Sequence, residues 1–213
     1  MEVQTNSHDI FPASSITTDF QEPNDWTYSM RREMQEIVKG LFLGPYSVAV
    51  RSKENYLETH GITHIVCVRQ DIESHMIKTH FVDKFQYLVV NVKDSVTENI
   101  IQHFQKVKTF LDSCFSAGGK ALVHGNAGIS RSAAIVLGFL MQKYCLDYRE
   151  AFSLVQQRRF CINPNEGFVQ QLKEYEPIYK ANWSVTNNGQ CSREQSTWKR
   201  KRESIENDDA MDE

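Results

Sequence analysis

The stretch from Ala121 to Met141 constrains the fold of this chain more than any other part of the sequence. Residues 121–123 are apolar and predict a short buried strand, and residues 133–141 form the longest apolar run and predict a buried helix. Small residues fill the segment between them. Such a loop can turn successive backbone N–H groups inward and form a concave nest for an anion, to which the helix N-terminus adds partial positive charge. The stretch therefore predicts a strand, a phosphate-binding loop and a helix.

Individual loop residues suit this role. Gly128 has no Cβ and tolerates the positive φ that tight curvature requires. Arg131 carries a planar fork of donors that can hold two phosphate oxygens at once, a geometry that lysine cannot reproduce. We predict that the phosphate-binding residues are His124, Gly125, Asn126, Ala127, Gly128, Ile129, Ser130, Arg131 and Ser132.

This loop resembles the phosphate-binding loop of the protein tyrosine and dual-specificity phosphatases, whose motif is His-Cys-x5-Arg-Ser/Thr. The segment matches the motif at every defining position except one, where Gly125 stands in place of the cysteine. In the family, the cysteine thiolate attacks phosphorus and forms a covalent intermediate. Glycine has no side-chain atom that could do so. The resemblance therefore implies a catalytically inactive phosphatase fold whose phosphate cradle is retained.

Three further residues have a role only by this resemblance. Ser132 matches the family hydroxyl that steadies the thiolate, and His124 matches the residue that helps to keep the pKa of that thiolate low. Asp94 falls about where the family carries the general acid that protonates the leaving oxygen, which here would be vestigial. The alternative for Asp94 is a turn or helix N-cap residue ahead of the amphipathic run that begins near Glu98.

The order of predicted elements indicates the fold class. Strands are expected at 40–44, 61–68, 87–92 and 121–123, with helices between and after them. This alternation predicts a single α/β domain like that of the dual-specificity phosphatases, with a central, mostly parallel sheet flanked by helices. The phosphate loop then lies at the carboxyl end of a strand, where open α/β sheets bind ligands. The last helix is predicted from an N-cap at Asn163, with Glu166 completing a capping box, to about Tyr179.

The two ends of the chain differ from the middle. Residues 1–25 and 181–213 are polar and lack periodicity, which predicts a disordered arm and tail around a domain at 26–180. Within the tail, a basic patch predicts import into the nucleus alongside cytoplasmic protein, with a solubilising tail as the alternative. The patch consists of Lys199, Arg200, Lys201 and Arg202.

Charge and composition exclude other classes of function. The net charge of −3 over 213 residues gives no whole-protein electrostatic case for binding nucleic acid or a membrane surface. The longest apolar run is about half as long as a transmembrane helix requires. The five cysteines include no C-x2-C pair, so we expect no metal and no cofactor.

The family resemblance also implies what such a protein does. It implies a module that binds phosphorylated proteins or partners of phosphatases and competes with, anchors or shields them. The expected partners are MAP kinases and an F-box substrate receptor of a ubiquitin ligase. One alternative is a weakly active phosphatase in which Asp94 assists water attack. Another is a scaffold that binds its partners through a surface remote from the loop.

Overall fold

A computed structural model describes residues 26–186, with side chains as far as Trp183. The predicted arm at 1–25, most of the predicted tail and the basic patch at 199–202 lie outside the described residues. Within residues 26–186, no helix combines the length and apolar character needed to cross a membrane.

The centre of the fold is one five-stranded sheet with the strand order β1-β2-β5-β3-β4. Its strands are β1 (Gln35–Val38), β2 (Leu41–Pro45), β3 (Ile62–Arg69), β4 (Gln86–Asn91) and β5 (Lys120–Gly125). β1 pairs antiparallel with β2, and the other three pairings are parallel, so the predicted mostly parallel sheet is confirmed. No sequence pattern marks β1, because its burial does not alternate along the strand.

Five α-helices surround the sheet, and each predicted helix is present. They are α1 (Glu54–Thr59), α2 (Ile101–Ser116), α3 (Arg131–Tyr144), α4 (Tyr148–Arg158) and α5 (Glu166–Thr186). The predicted start of the last helix at Asn163 is wrong, since α5 begins at Glu166. The side chain that caps it is Asn165, whose Oδ1 accepts a hydrogen bond from the Phe168 N–H at 3.0 Å. Asn163 instead donates its backbone N–H to Ile129 O at 2.9 Å.

Helix α3 is the central helix of the molecule. Its residues are buried from Arg131 to Gln142, and it packs against β5, α2, α4 and α5. Strand β5 is buried on both faces, because Ala121 and Val123 join the cluster around α3 whereas Leu122 joins a second cluster on the opposite face. The loop between β5 and α3 is therefore fixed by the core at both of its ends.

Candidate functional site

The candidate site lies at the carboxyl edge of the sheet. Strands β2, β5, β3 and β4 run parallel, so the segments that follow them meet at one edge. These segments are the short 3-10 turns Tyr46–Val48 and Asp71–His75, the loop at 92–100, and the phosphate loop at 126–130. The sequence predicted two of these four segments to be functional.

The two ends of the phosphate loop are tied to the surrounding backbone through their carbonyl groups. Asn126 O accepts a hydrogen bond from the Tyr46 N–H at 3.0 Å, and Ile129 O accepts one from the Asn163 N–H at 2.9 Å. Both carbonyls therefore point out of the loop toward the scaffold.

The two carbonyls in the middle of the loop are bonded to Arg159. Its Nη2 donates to Ala127 O at 3.1 Å, and its Nε donates to Gly128 O at 2.9 Å. The Arg159 side chain is fully buried. The same guanidinium also donates to acceptors in the segment before β2, namely Arg31 O, Glu33 O and Gln35 Oε1. Arg159 thus braces the loop against the N-terminal part of the domain.

Outward carbonyls turn the following amides inward, because a peptide unit directs its C=O and N–H to opposite sides. The inward N–H groups belong to Ala127, Gly128, Ile129 and Ser130, and none has a hydrogen-bond acceptor among residues 26–186. Gly128 permits this arrangement, since its φ is +69° and a Cβ there would lie 2.5 Å from Gly44 O. The backbone therefore forms a preorganised nest for an anion.

Arg131 begins α3 beside this nest. Its Nη1 and Nη2 donate to the two carboxylate oxygens of Glu73, at 2.5 and 3.0 Å. Nη1 also donates to Val92 O at 3.2 Å. Of the five guanidinium N–H groups, the Nε–H and one N–H of Nη2 remain, and they lie on the same edge of the plane. That edge, rather than the end of the guanidinium, can bind an oxyanion bidentately, although Asp94 Oδ2 already lies 3.9 Å from Nε.

Glu73 is held firmly in this position. Besides the bonds from Arg131, its Oε2 accepts the Gln70 N–H at 2.7 Å, as part of a capping box. The hydrogen bond from Arg131 is the main reason that the pKa of Glu73 lies below its ordinary value, and it outweighs the effect of burial. Glu73 is a positioning residue for Arg131.

Asp94 lies on the other side of Arg131. Its Oδ2 is 3.9 Å from Arg131 Nε, and its Oδ1 accepts hydrogen bonds from Ser130 Oγ and Asn165 Nδ2, both at 2.8 Å. Of the alternative of a turn or helix N-cap, the N-cap is wrong, because α2 begins only at Ile101, but Asp94 does lie in a bend just before a turn. The carboxylate instead joins the loop at 92–100 to the phosphate loop and to the start of α5.

Gly125 lies between two buried polar side chains. His124 Nε2 and Ser132 Oγ are buried, and neither has a hydrogen-bond partner among the described residues. Burial lowers the pKa of His124 to about 4, so its imidazole is neutral near pH 7. A Cβ added at Gly125 would lie 3.2 Å from Ser132 Oγ and 3.3 Å from Val68 O. These contacts are tight but need shifts of only a few tenths of an ångström.

Neither Cys67 nor Cys161 lies in the phosphate loop at 126–130. Burial raises the pKa of Cys67 to about 11, and its side chain lies within β3. Cys161 follows α4, beyond the loop. Residues 26–186 also contain no group of three or more His, Cys, Asp or Glu side chains that could hold a metal ion.

The structure therefore brings the predicted loop residues and Asp94 together. Sequence reasoning missed four residues that shape the site, which are Tyr46, Glu73, Arg159 and Asn165. Asn165 carried a detectable signal, since an asparagine beside a proline before a helical run is a common cap. The other three lie far from the loop in sequence and carry no motif.

Comparison with known proteins identifies the class of this fold and site. The model of the dual specificity phosphatase catalytic domain matches residues 41–178. The chain belongs to the dual specificity phosphatase family. It is similar to the serine/threonine/tyrosine-interacting protein of Homo sapiens, with 56% identity over 165 residues that cover 78% of this chain and 74% of that protein.

Two further relatives agree with this. Serine/threonine/tyrosine-interacting protein B of Xenopus laevis is also 56% identical over 165 residues, covering 78% of this chain and 74% of the relative. The crystal structure of the human tyrosine phosphatase-like serine/threonine/tyrosine-interacting protein matches with a TM-score of 0.68 and 59% identity, covering 70% of this chain and 98% of that chain.

Proposed function

We propose that this protein is a pseudophosphatase, a non-catalytic module of the dual specificity phosphatase fold that binds phosphorylated proteins. The observation that carries the proposal is the nest at 126–130, whose inward N–H groups have no acceptor among the described residues. The remaining edge of Arg131 and the N-terminus of α3 lie beside it. Together they offer donors and partial positive charge to one oxyanion.

Inactivity follows from the chemistry at the base of the nest. Gly125 offers no atom that could attack phosphorus, and Cys67 is a buried thiol with a raised pKa. Without a covalent intermediate, the two-step reaction of the family cannot run. A general acid at Asp94 would have no step to assist.

The missing thiolate also favours binding. A thiolate about 4 Å from a phosphate dianion repels it by several kcal/mol at an effective dielectric near 20, part of which hydration and loop relaxation offset. Because Gly125 removes that repulsion while the nest is retained, the site suits stable occupation better than turnover.

The partners and location of the protein form part of the same proposal. We propose phosphorylated MAP kinases as partners to test first, and an F-box substrate receptor of a ubiquitin ligase as a second. The basic patch at 199–202 remains a prediction of nuclear import. Deletion of that patch is expected to shift the protein toward the cytoplasm, and an unchanged nuclear fraction would contradict it.

Catalytic inactivity is tested by comparing wild type with Gly125→Cys on a phosphotyrosine peptide. The expected result is no turnover in wild type and measurable phosphate release by the variant, since its Cβ fits beside Ser132 with small shifts. Equal activity in both proteins would support the alternative of a weakly active phosphatase that does not use cysteine.

Phosphate binding is tested by calorimetry with phosphotyrosine and phosphothreonine peptides and their unphosphorylated forms. Arg131→Lys keeps the positive charge but lacks the planar fork, so it is expected to weaken binding of the phosphorylated peptides about 10-fold or more. Arg149→Lys, an exposed change on α4, serves as the matched control. If pull-down of partner proteins is equal for wild type and Arg131→Lys, partners bind through a surface remote from the loop.

A further inference from the structure

Exposed apolar side chains lie next to the nest. Ile72 and Met76 are 74% and 59% exposed and flank Glu73, the residue that holds Arg131. Val96 is 59% exposed and lies two positions after Asp94. Because β3 and β4 are neighbours in the sheet, the segments that carry these residues are neighbours too.

The turn that carries Ile72 and Met76 is anchored on several sides. Asn91 Nδ2 donates to Asp71 Oδ2 at 2.6 Å, and the Asp71 N–H donates to Asn91 Oδ1 at 3.2 Å. Arg69 Nη1 donates to Ser74 O at 3.2 Å. The Ile72 and Met76 side chains are therefore exposed to solvent on a backbone that is fixed in place. Exposed apolar side chains on a fixed backbone are typical of an interaction surface.

The loop that carries Val96 is fixed as well. Its backbone packs so closely on the first turn of α5 that a Cβ added at Gly167 would lie 2.0 Å from Val96 O. The hydrogen bonds of Asp94 to Ser130 and Asn165 hold the same loop against the nest. Val96 thus projects from a rigid support on the rim of the site.

The charges around the nest indicate what kind of partner fits. The nest itself receives one anionic group, but the two nearest carboxylates, Glu73 and Asp94, are already engaged with Arg131, Ser130 and Asn165. A second anionic group beside the first would come next to these carboxylates, and exposed Lys93 in the same loop offsets only part of the repulsion. Ile72, Met76 and Val96 form an apolar rim, which apolar side chains complement better.

We propose that Ile72, Met76 and Val96 form, together with the nest, one docking surface for a protein segment in which a phosphorylated residue has large apolar residues beside it. This rests on the proposed function and adds selectivity to it. Phosphate is held in the nest, and the neighbouring apolar side chains of the partner cover the exposed rim. Each class of contact alone gives weaker binding than the two together.

The test uses the full chain and four peptides, which carry either a phosphotyrosine or a tyrosine, flanked by either leucines or serines. The leucine-flanked phosphopeptide is expected to bind wild type roughly 5- to 20-fold more tightly than the serine-flanked one. The double variant Ile72→Ser/Met76→Ser is expected to lose this preference while still binding the serine-flanked phosphopeptide. Val82→Ser is the matched control, because Val82 is 62% exposed but lies four positions before β4 begins at Gln86, outside the segments at 71–76 and 92–100.

The outcomes separate the two proposals. If wild type binds both phosphopeptides equally and Arg131→Lys weakens both, the docking surface is wrong and the phosphate site stands. If the unphosphorylated leucine peptide binds as tightly as its phosphorylated form, both proposals are wrong. If Val82→Ser abolishes the preference as the double variant does, the preference does not come from this rim.

Discussion

Glu73 meets Arg131 end-on, with both carboxylate oxygens on the two terminal nitrogens of the guanidinium. The two side chains are only 16% and 9% exposed. This contact fixes the direction of the Arg131 side chain before any ligand binds, and this reduces the entropic cost of binding. The Glu73 carboxylate also compensates much of the positive charge of Arg131. The backbone N–H groups of the nest therefore supply a large share of the attraction for an anion.

We expect Glu73→Gln to lower the free energy of unfolding by about 1–3 kcal/mol at pH 7, because charge-assisted hydrogen bonds to Arg131 are lost. The pKa of Glu73 is lowered in the folded state, so its stabilising effect is present above the ordinary pKa of glutamate. It disappears as the pH falls through the lowered value. Urea unfolding at pH 7 and in a series of more acidic buffers measures both effects.

The control for this prediction is Glu58→Gln, which removes one partner of Lys84 in an exposed ion pair. That variant is expected to change stability by less than about 0.5 kcal/mol. A difference between Glu73→Gln and wild type that stays constant down to strongly acidic pH would contradict the predicted linkage.

The phosphate loop could be predicted from the sequence because its signal is local. Small residues, an arginine and an apolar helix follow one another within 121–141, and the nest forms from the same stretch. The parallel strands could be predicted for a similar reason, since β3 and β4 are runs of β-branched and aromatic residues.

Glu73 and Arg159 could not be predicted, because their roles depend on tertiary contacts. Glu73 is 58 positions from Arg131 in the sequence, and nothing in the sequence of its turn indicates a contact with Arg131. Arg159 follows Arg158 at the end of a helix, where basic residues are ordinarily explained by the helix dipole. Only the fold shows that one of the two arginines is fully buried against the loop.

We expect Arg159→Ala to lower the free energy of unfolding by about 3–5 kcal/mol, because the change leaves several buried acceptors unpaired. Ala127 O and Gly128 O are two of these acceptors, so the nest is expected to loosen as well. Arg159→Lys keeps a charge but few of the hydrogen bonds, and it should weaken phosphopeptide binding even where the protein stays folded. Arg149→Ala, an exposed change on α4, the helix that Arg159 directly follows, should alter neither property.

We predict that replacing Gly167 with alanine lowers the stability of the protein. A Cβ at this position would lie 2.0 Å from Val96 O, so the loop at 92–100 must move away from α5. We expect Gly167→Ala to destabilise the protein by about 1–3 kcal/mol and to break the contact between Asp94 and Asn165. Glu166→Ala, in the same turn, loses only a favourable charge at the helix N-terminus, worth about 0.3–1 kcal/mol. A loss for Gly167→Ala below about 1 kcal/mol in thermal unfolding would contradict the steric argument.

His124 is predicted to make stability depend on pH below neutrality. Its folded pKa of about 4 lies below the ordinary value of 6.5 because of burial, so in this range the unfolded chain binds a proton that the folded protein excludes. Stability is therefore complete above pH 6.5 and falls as the pH drops, by about 1–2 kcal/mol from His124 alone between pH 6.5 and 5.

The variant His124→Asn is expected to be less stable at pH 7 but to show a smaller slope across this window. Burial also lowers the pKa values of His64, His80 and His103. These residues contribute equally to the pH dependence of stability in the variant and in wild type. Urea unfolding at half-unit pH steps measures the slope, and identical slopes for variant and wild type would show that folding does not lower the pKa of His124.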